Sequence, residues 1–451
     1  MPRKYWWKEA KIYELYVDKF ARDFAGLAKE MDYFVALGVN CLHILPHYPS
    51  PLIDDGYDVT DYKGVRKELG TIEDFETMVR EASKRNIRII IDFVINHTSS
   101  EHPWFIEARK SKTAPTRDYY LWSNHGSEFK DARSFFPDIK TNNWIFNPQT
   151  DDYYFATFYP EQPDLNWDNP YVFEEITGAM DFWIGKGVSG FRIDAAPYLV
   201  KREGTNCTGL PETHALLKKI RAHLEAKHAD VILIAEAHQS LEKTKQYFGG
   251  NGSESVGDEC HMAYHFNLME EMWLALLKGD RQRLEKMITD SLAIPENCQW
   301  AIFLRNHDEI SLSTLDKETQ SELLGLLDPD QSYTMQKMQR TAMRLGSIFK
   351  GDRERITQAL SLLYSSSGAP IMYYGDEIGM NNLAVEDGVV DTRHYVRGTF
   401  DLEKARLQMH DPTSLFNSVA NILKKQSAEL IHAEHAGSEQ PATASLDGPQ
   451  N

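Results

Sequence analysis

Positive charge, paired cysteines and long apolar runs are all scarce in this 451-residue sequence. There are 49 Lys and Arg residues against 67 Asp and Glu, so the formal net charge is −18. A chain this acidic repels phosphate backbones and anionic lipids, so neither nucleic acid nor a membrane surface is an expected partner. Cys41, Cys207, Cys260 and Cys298 form no CxxC pair, so neither a zinc ribbon nor a redox motif is expected.

Targeting signals are scarce as well. No run of about 18 apolar residues is present, so we expect no membrane-spanning helix. The stretch from Met1 to Lys11 is charged and aromatic and lacks the apolar core of a secretory signal. The expected location is therefore the cytoplasm, where thiols stay reduced. The oligomeric state is not predicted by these features.

Short apolar segments alternate with amphipathic helical patterns along most of the chain. Segments this hydrophobic are typical of strands buried on both faces of a parallel sheet. Eight of them in alternation with helices predict an α/β fold, a (β/α)8 TIM barrel, with a doubly wound sheet as the alternative. The predicted strands are Ile12–Val17, Cys41–Pro46, Ile87–Val94, Gly190–Ala195, Val231–Ala237, Ala263–Asn267, Trp300–Leu304 and Pro370–Tyr374.

Two patterns define helices between the first strands. Four apolar residues from Leu27 to Val35 share one helical face, and Gly38 follows as a predicted stop. Thr71 and Asp74 predict a capping box at the start of the helix after the second strand.

The connection after the third predicted strand is too long for a simple loop. We predict a small inserted domain at residues 98–165, between barrel parts at 1–97 and 166–425, and a disordered tail at 426–451. Aromatic rings in the insert either form its core, which is their commoner fate, or stack on sugar rings. These rings belong to Trp104, Trp122, Phe135, Phe136, Trp144, Tyr153, Tyr154, Phe158 and Tyr159.

Charged and imidazole side chains stand where four of the predicted strands end. The carboxyl ends of barrel strands meet at one mouth, which is where active sites of this fold lie. Like charges in one cleft raise each other's pKa, so such a cluster is costly and suggests a function. Paired carboxyls of different pKa are what glycoside cleavage requires. The residues are Asp92, His97, Asp194, Glu236, His307 and Asp308.

These strand ends resemble the signature regions of the α-amylase superfamily of glycoside hydrolases. Their order and their placement on the strands both agree with that superfamily. Four main regions correspond to Asp92–His97, Gly190–Asp194, Glu236 and Phe303–Asp308, with further matches at Gln162–Asn166, Gly56–Asp58 and Tyr373–Glu377.

Within the superfamily, other stretches resemble the trehalose synthases, which are maltose α-glucosyltransferases. This resemblance runs from about Tyr5 to Met380. The matching stretches are Ala196–Leu199, Arg202–Cys207, Leu210–His214, Gly257–Met262 and Ala293–Trp300.

The resemblance implies a retaining mechanism. Asp194 is the implied nucleophile, which forms a β-glucosyl-enzyme intermediate, and Glu236 is the implied general acid and then base. Asp308 is implied to bind sugar hydroxyls and to favour the distorted transition state. Arg192 lies on the same strand face as Asp194 and is implied to keep it ionised.

The resemblance also implies which residues contact the substrate, a small α-linked disaccharide. One of Asp54 and Asp55 is implied to bind the far hydroxyls of the reacting glucose, and we choose Asp54. The other implied contacts are hydrogen bonds from His97 and His307, stacking by Tyr57 and a contact from Gln162.

Calcium is implied near the insert, although no cofactor is required for the chemistry. The implied ligands are Asn96, Asp164 and the carbonyl groups of Tyr198 and Leu199. The glutamate expected at the next ligand position is Lys201 in this sequence. Calcium requires several oxygens and negative charge, so we expect weak calcium binding or none. The ammonium group of Lys201 is the candidate replacement for the ion.

Two other segments depart from the family pattern. Between Phe20 and Phe24 the usual Asp/Gly-rich loop is short, so the metal site often found there is not expected. An Arg-Thr-Pro-Met-Gln-Trp stretch is replaced by Asp391–Gly398, from which Arg393 or Arg397 is expected to reach the substrate. After one more helical stretch near Asp411–Lys425, we do not expect the C-terminal β-sandwich of the family to fit in the residues that remain in this sequence, so this domain is expected to be missing.

Three functions fit these residues. The first is conversion of maltose to trehalose, with the cleaved glucose kept in a closed pocket from which water is excluded. The second is an α-glucosidase or transglucosylase that uses the same residues but admits water or another acceptor. The third is a non-catalytic binding module, which the presence of Asp194, Glu236 and Asp308 disfavours.

Overall fold

The computed structural model describes residues 5–136, 139–250, 255–335 and 340–425. The predicted tail at 426–451 lies outside these residues. Among the residues described, no helix is both long enough and apolar enough to cross a membrane.

Eight parallel strands close into a barrel, which confirms the predicted TIM barrel and shows that the doubly wound alternative is wrong. Neighbouring strands pair in register from Ile12 opposite Cys41 round to Ile12 opposite Ile371. The barrel strands are β1 (Ile12–Leu15), β2 (Cys41–Ile44), β3 (Arg88–Val94), β7 (Gly190–Asp194), β8 (Ile232–Ala235), β9 (Met262–Tyr264), β10 (Gln299–Phe303) and β14 (Ala369–Tyr373).

The prediction of the sixth barrel strand is too long at its end. His265 caps the following helix, because its ring accepts a hydrogen bond from the backbone N–H of Leu268 at 3.1 Å. Asn267 was predicted to lie in the strand, but it lies in the helix that follows. A polar cap directly after a strand is a local signal that apolar periodicity does not reveal.

Helices separate and surround the strands. The Thr71–Asp74 capping box is confirmed, with hydrogen bonds in both directions between the two residues. Two later helices carry proline at their first position, where its missing N–H costs nothing. The helices are α1 (Val17–Ala21), α2 (Phe24–Lys29), α3 (Met31–Leu37), α4 (Ile72–Ser83), α5 (Pro103–Ala108), α6 (Pro170–Gly185), α7 (Pro211–Glu225), α8 (Leu241–Lys245), α9 (Phe266–Lys278), α10 (Arg281–Ser291), α11 (Lys317–Leu327), α12 (Leu345–Ile348), α13 (Arg353–Ser365) and α14 (Leu402–His410), followed by a helix that begins at residue 415.

The helical pattern from Leu27 to Val35 is divided between two helices. The helical conformation is interrupted at Glu30, so α2 and α3 do not share one continuous face. Val35 is 48% exposed, and its prediction as a core residue is wrong. Gly38 ends α3 with a φ of 96°, a left-handed conformation that favours glycine, so the predicted stop is confirmed.

The insert after β3 contains α5 and a small antiparallel sheet with the strand order β4-β6-β5. These strands are β4 (Trp122–Ser123), β5 (Trp144–Asn147) and β6 (Asp152–Phe155). Short bridges from His97 to Asp164 and from Tyr120 to Leu165 join the two ends of the insert. The domain boundary at residues 98–165 stays a prediction.

A second small sheet follows β10 and was not predicted. Its strands are β11 (Ile310–Ser311), β12 (Thr334–Met335) and β13 (Arg340–Thr341). Met335 packs in one apolar cluster with Phe135 and Phe136 of the insert and with Tyr198 after β7. The small sheet and the insert therefore meet above the carboxyl end of the barrel.

Candidate active site

The three carboxylates implied as catalytic lie around one cavity at the carboxyl ends of the strands. Asp194 ends β7, Glu236 directly follows β8, and Asp308 lies in the loop after β10. Their side chains are 12%, 18% and 24% exposed, respectively. Parallel strands direct their carboxyl ends to one edge, which explains why residues so distant in sequence meet here.

Arg192 links Asp194 and Glu236 beneath the cavity. One guanidinium nitrogen lies 2.6 Å from Asp194 Oδ1, and the other lies 2.5 Å from Glu236 Oε1. The backbone N–H of Ala195 donates to Glu236 Oε2 at 3.0 Å. Asp92 also accepts from Arg192, at 3.0 Å. The two carboxyls therefore share one cationic partner and face one hollow.

Burial raises the pKa of both Asp194 and Glu236, and the charge on Arg192 opposes the rise in each. Neighbouring acids add to this rise, because Glu236 raises the pKa of Asp194 and Asp308 raises the pKa of Glu236. Since Asp194 and Glu236 also share Arg192, they titrate together, and burial favours a proton on the pair.

Asp308 has the opposite electrostatic environment. Burial opposes its ionisation, but His307, Arg393 and Arg397 outweigh burial and hold the pKa of Asp308 well below its usual range. Burial also opposes protonation of His307, yet Asp308 and Glu14 raise the pKa of this imidazole to about 9. Asp308 is therefore ionised, and His307 is cationic at neutral pH.

His307 is held from below by a carboxylate that the sequence analysis missed. Glu14, in β1, accepts from both the backbone N–H and the ring Nδ1 of His307 at 3.0 Å. The other ring nitrogen of His307 lies 2.6 Å from the Tyr57 hydroxyl, and the two rings stack with centroids 5.4 Å apart. A charged residue within the apolar run of β1 was the available signal.

The other predicted substrate contacts fall into two groups. Asp54, Tyr57 and His97 line the cavity. Gln162 lies behind Asp54 and donates to its Oδ2 at 3.0 Å. Arg192 and His307 likewise act on cavity residues from behind. Burial lowers the pKa of His97 to about 4, so its ring is neutral.

The structure distinguishes Asp54 from its neighbour. Asp54 is buried in the cavity wall, whereas the side chain of Asp55 is 41% exposed and does not line the cavity. Arg393 Nη2 lies 2.7 Å from Asp54 Oδ1, and Arg397 Nη1 lies 2.5 Å from Asp55 Oδ2.

A short helix supplies both arginines. Residues Thr392–Val396 form a 3₁₀-helix that is capped by the side chain of Asp391. Arg393 lines the cavity and lies 3.4 Å from Asp308 Oδ1, whereas Arg397 binds the same oxygen from behind at 2.9 Å. The sequence predicts that Arg393 or Arg397 reaches the substrate; of the two, Arg393 faces the cavity.

Aromatic rings of the insert fall into two groups, and stacking of any of them on a sugar ring stays a prediction. Phe135, Phe136 and Phe158 line the cavity. Trp122 and Tyr154 pack with Phe105 of α5 against the barrel core. The insert therefore covers the cavity with some rings and stabilises itself with others.

A sequence model of the family described as "Alpha amylase, catalytic domain" matches residues 16–329. The chain belongs to the α-amylase family. It is 42% identical over 394 residues to a trehalose synthase/amylase of Mycobacterium tuberculosis, covering 85% of this chain and 65% of that protein. It is 41% identical over 397 residues to a trehalose synthase of Pimelobacter sp., covering 85% of this chain and 69% of that protein.

The same family is found among solved structures. The trehalulose synthase MutB of Pseudomonas mesoacidophila has a TM-score of 0.72 and 26% sequence identity, with 94% of this chain and 84% of that chain covered. The chain thus spans about two thirds of the length of its curated relatives and most of one solved family member.

Lys201 lies between the ligands that the family resemblance implies for calcium. Its ammonium group lies 2.9 Å from Asn96 Oδ1 and 2.5 Å from the Tyr198 carbonyl oxygen, and it forms an ion pair with Asp164. The carbonyl of Leu199, the fourth implied ligand, forms no hydrogen bond with this ammonium group. Among the residues described, no group of three His, Cys, Asp or Glu side chains is placed to hold a metal ion. The calcium ligands stay a prediction.

Proposed function

We propose that this protein is a retaining α-glucoside enzyme that converts maltose to trehalose by a double displacement. The observation that carries the proposal is the shared contact of Asp194 and Glu236 with one guanidinium, beside an ionised Asp308. Retention requires two working carboxyls about 5–5.5 Å apart, and we expect that separation between Asp194 and Glu236 in the substrate complex.

In the first step, Asp194 attacks the anomeric carbon of the glucose bound in the cavity. Glu236 donates the proton held by the pair to the glycosidic oxygen, and the second glucose leaves. The positive charge that develops at the anomeric carbon is stabilised by Asp308, whose pKa is held low by its three cationic neighbours.

In the second step, the released glucose attacks the anomeric carbon with its own anomeric hydroxyl. Glu236, now ionised, accepts the hydroxyl proton, and the ester bond to Asp194 breaks. The rings of Phe135, Phe136 and Phe158 keep water away while the intermediate waits.

Transfer to water is the second candidate function. The exposure of Asp194, Glu236 and Asp308 shows that solvent reaches the cavity in this structure. Hydrolysis or transfer to other sugars then competes with isomerisation, and the enzyme is an α-glucosidase or transglucosylase.

Product analysis after incubation with maltose separates these candidates. Trehalose as the main product supports the isomerase, whereas glucose without trehalose rules it out in favour of hydrolysis. The matched control is Asp194→Asn, which keeps the volume of the side chain but removes the nucleophile. We expect about a 10³-fold or greater loss of rate, and an undiminished rate would reject Asp194 as the nucleophile.

Glu236→Gln tests the acid separately. Its activity on maltose is expected to be lost, but α-glucosyl fluoride should still be cleaved, because fluoride leaves without a proton. A variant equally inactive on both donors would contradict the assigned role.

A further inference from the structure

A second cavity adjoins the active-site cavity on the side of Glu236. Arg133, Tyr198 and His238 line both cavities. His238 is two residues after Glu236, and its ring stacks on Phe266 with centroids 4.2 Å apart. Because Glu236 acts on the glycosidic oxygen, the second cavity receives the group beyond that oxygen, which is the leaving group or the acceptor.

The lining of this second cavity is basic in an otherwise acidic protein. Arg133 and Lys243 are its fixed cations, and no aspartate or glutamate lines it in the part of the chain that the structure describes. The remaining wall consists of neutral hydrogen-bonding side chains, which include Asn206 and Ser240. The full sequence carries a net charge of −18, so an acid-free wall is unlike the rest of the molecule.

The two cations are not neutralised by neighbouring acids. The guanidinium of Arg133 lies over the ring of Phe135, 4.5 Å from its centroid, and neither Arg133 nor Lys243 has an ion pair within the described ranges. Three arginines in or behind the wall of the active-site cavity differ in this respect, since Arg192, Arg393 and Arg397 each contact at least two carboxylates.

A neutral sugar would lack its strongest kind of acceptor in this wall, because no carboxylate lines it. Sugar hydroxyls donate hydrogen bonds as well as accept them, and ionised carboxylates are the strongest acceptors that proteins offer. A phosphate group only requires donors and positive charge, and guanidinium, ammonium, amide and hydroxyl groups all supply them.

We propose that this second cavity binds a phosphate group, so that the glucosyl residue is transferred to, or released from, a phosphate-bearing partner. The inference rests on the proposed double displacement. With a sugar phosphate as acceptor, a hydroxyl oxygen bonds to the anomeric carbon, the ester to Asp194 breaks, and Glu236 takes the hydroxyl proton. With inorganic phosphate, a phosphate oxygen bonds to the anomeric carbon, the ester to Asp194 breaks, Glu236 takes the proton that this oxygen carried, and α-glucose 1-phosphate leaves.

Acceptor competition tests the inference on the full chain. p-Nitrophenyl α-glucoside is the neutral glucosyl donor, and glucose, glucose 6-phosphate and inorganic phosphate are compared as acceptors by mass spectrometry of the products. We expect a KM for one of the phosphate acceptors at least about tenfold below that for glucose. A phosphorylated disaccharide identifies a sugar phosphate as the source, and α-glucose 1-phosphate identifies free phosphate.

Variants of the wall locate the site. Arg133→Gln and Lys243→Gln should each raise the KM for the phosphate acceptor about tenfold relative to the KM for glucose. Lys29→Gln is the matched control, because Lys29 is an exposed lysine of α2 that lines neither cavity. Its KM ratio should not change.

The phosphate site and the proposed double displacement can each fail without the other. If the donor is cleaved but neither phosphate acceptor is better than glucose, the anion site is wrong and the double displacement is retained. If the donor is not cleaved, the proposed function fails, and calorimetry with glucose 6-phosphate and with inorganic phosphate decides the site. Binding that Lys243→Gln weakens supports it, and no binding of either compound rejects it.

Discussion

At the scale of single residues, the charge on Asp308 depends on side chains that do not touch substrate. Arg397 binds Asp308 at 2.9 Å and donates to the carbonyl oxygen of His307 at 3.1 Å. It is buried and does not line the cavity, so we regard it as a positioning residue.

Removal of this charge should move the acid limb of the pH profile. Arg397 lowers the pKa of Asp308, so Arg397→Gln raises that pKa and protonates Asp308 at a higher pH. We expect kcat/KM at neutral pH to fall about 10- to 100-fold, in line with the loss of one charge-assisted contact. The measurement is kcat/KM against pH for the wild type and the variant.

Arg397→Lys should restore part of the activity and return the acid limb towards lower pH, because it restores the charge without the planar geometry. Arg406→Gln is the control, since Arg406 forms an exposed ion pair with Glu30. A uniform loss of kcat/KM at every pH would show that Arg397 acts on folding and not on Asp308.

The sequence predicted the positions of the three candidate catalytic carboxylates better than the residues that support them. Asp194, Glu236 and Asp308 follow recognisable strands, so motif and periodicity were sufficient to place them at one mouth. Glu14 was missed because one acid in a buried strand has no local pattern, and its role depends on a histidine almost 300 residues away. The choice between Asp54 and Asp55 required the path of the loop.

At the scale of elements, Lys201 joins the segment after β7 to the insert. Its ammonium group contacts Asn96 after β3, Asp164 at the end of the insert, and the Tyr198 carbonyl. The lysine thus supplies a positive charge where the family resemblance implies calcium.

Lys201→Glu should convert this connection to a calcium-dependent one. Two carboxylates with an amide and a carbonyl oxygen make a hard-cation site, and without the cation the carboxylates repel each other. The variant should have a lower Tm than the wild type, and calcium at about 100 times its Kd should add about 2.7 kcal/mol of stability. Thermal unfolding with calcium or with a chelator is the measurement.

The wild type should show the same Tm with calcium and with chelator. Lys29→Glu is the control for the change in net charge, and it should not respond to calcium. If calcium does not change the Tm of Lys201→Glu, the ammonium group of Lys201 does not occupy the position of a calcium ion.

Two boundaries of elements were predicted from local signals. The capping box of α4 and the glycine after α3 are examples, since both are set by a few adjacent residues. The sheet formed by β11, β12 and β13 was not predicted, because strands of two residues carry no periodicity and are fixed by tertiary contacts. The interruption at Glu30 was missed because the helical spacing of apolar residues continues across it.

At the scale of the whole molecule, a buried carboxyl links stability to pH. Glu377 follows β14, is fully buried, and accepts hydrogen bonds from the hydroxyls of Tyr13 at 2.7 Å and Tyr33 at 2.5 Å. Burial raises its pKa from 4.5 to about 7, against the effect of both tyrosines.

The folded state therefore binds the Glu377 proton more tightly than the unfolded state does. The stability that this proton supplies is fully present below pH 4.5 and decreases as the pH rises. By about pH 7, about 3 kcal/mol of it has been lost. Glu377→Gln cannot ionise, so it should gain stability relative to the wild type between pH 5 and pH 8. Chemical unfolding at these two values measures the difference.

Glu285→Gln, at an exposed position of α10, is the control and should show no such pH-dependent gain. If the free energies of unfolding of Glu377→Gln and the wild type differ by the same amount at pH 5 and pH 8, Glu377 does not titrate in this range.

The barrel as a whole was predictable because eight buried strands impose one repeated pattern on the sequence. Its covering was not, because the insert and the small sheet meet through Phe135, Tyr198 and Met335, which no periodic signal connects. The active-site floor was therefore largely visible in the sequence, and its roof required coordinates.

The short helix Thr392–Val396 has a consequence for changing what the enzyme accepts. Arg393 reaches Asp54 at one side of the hollow, and Arg397, four positions later, holds Asp308 at another. A single turn thus holds two carboxylates of the hollow, so any mutation that reshapes it for a new sugar also disturbs the reacting centre. Redesign of substrate choice should begin outside this turn, with residues such as Phe135 and Phe158, which line the hollow without holding Asp54 or Asp308.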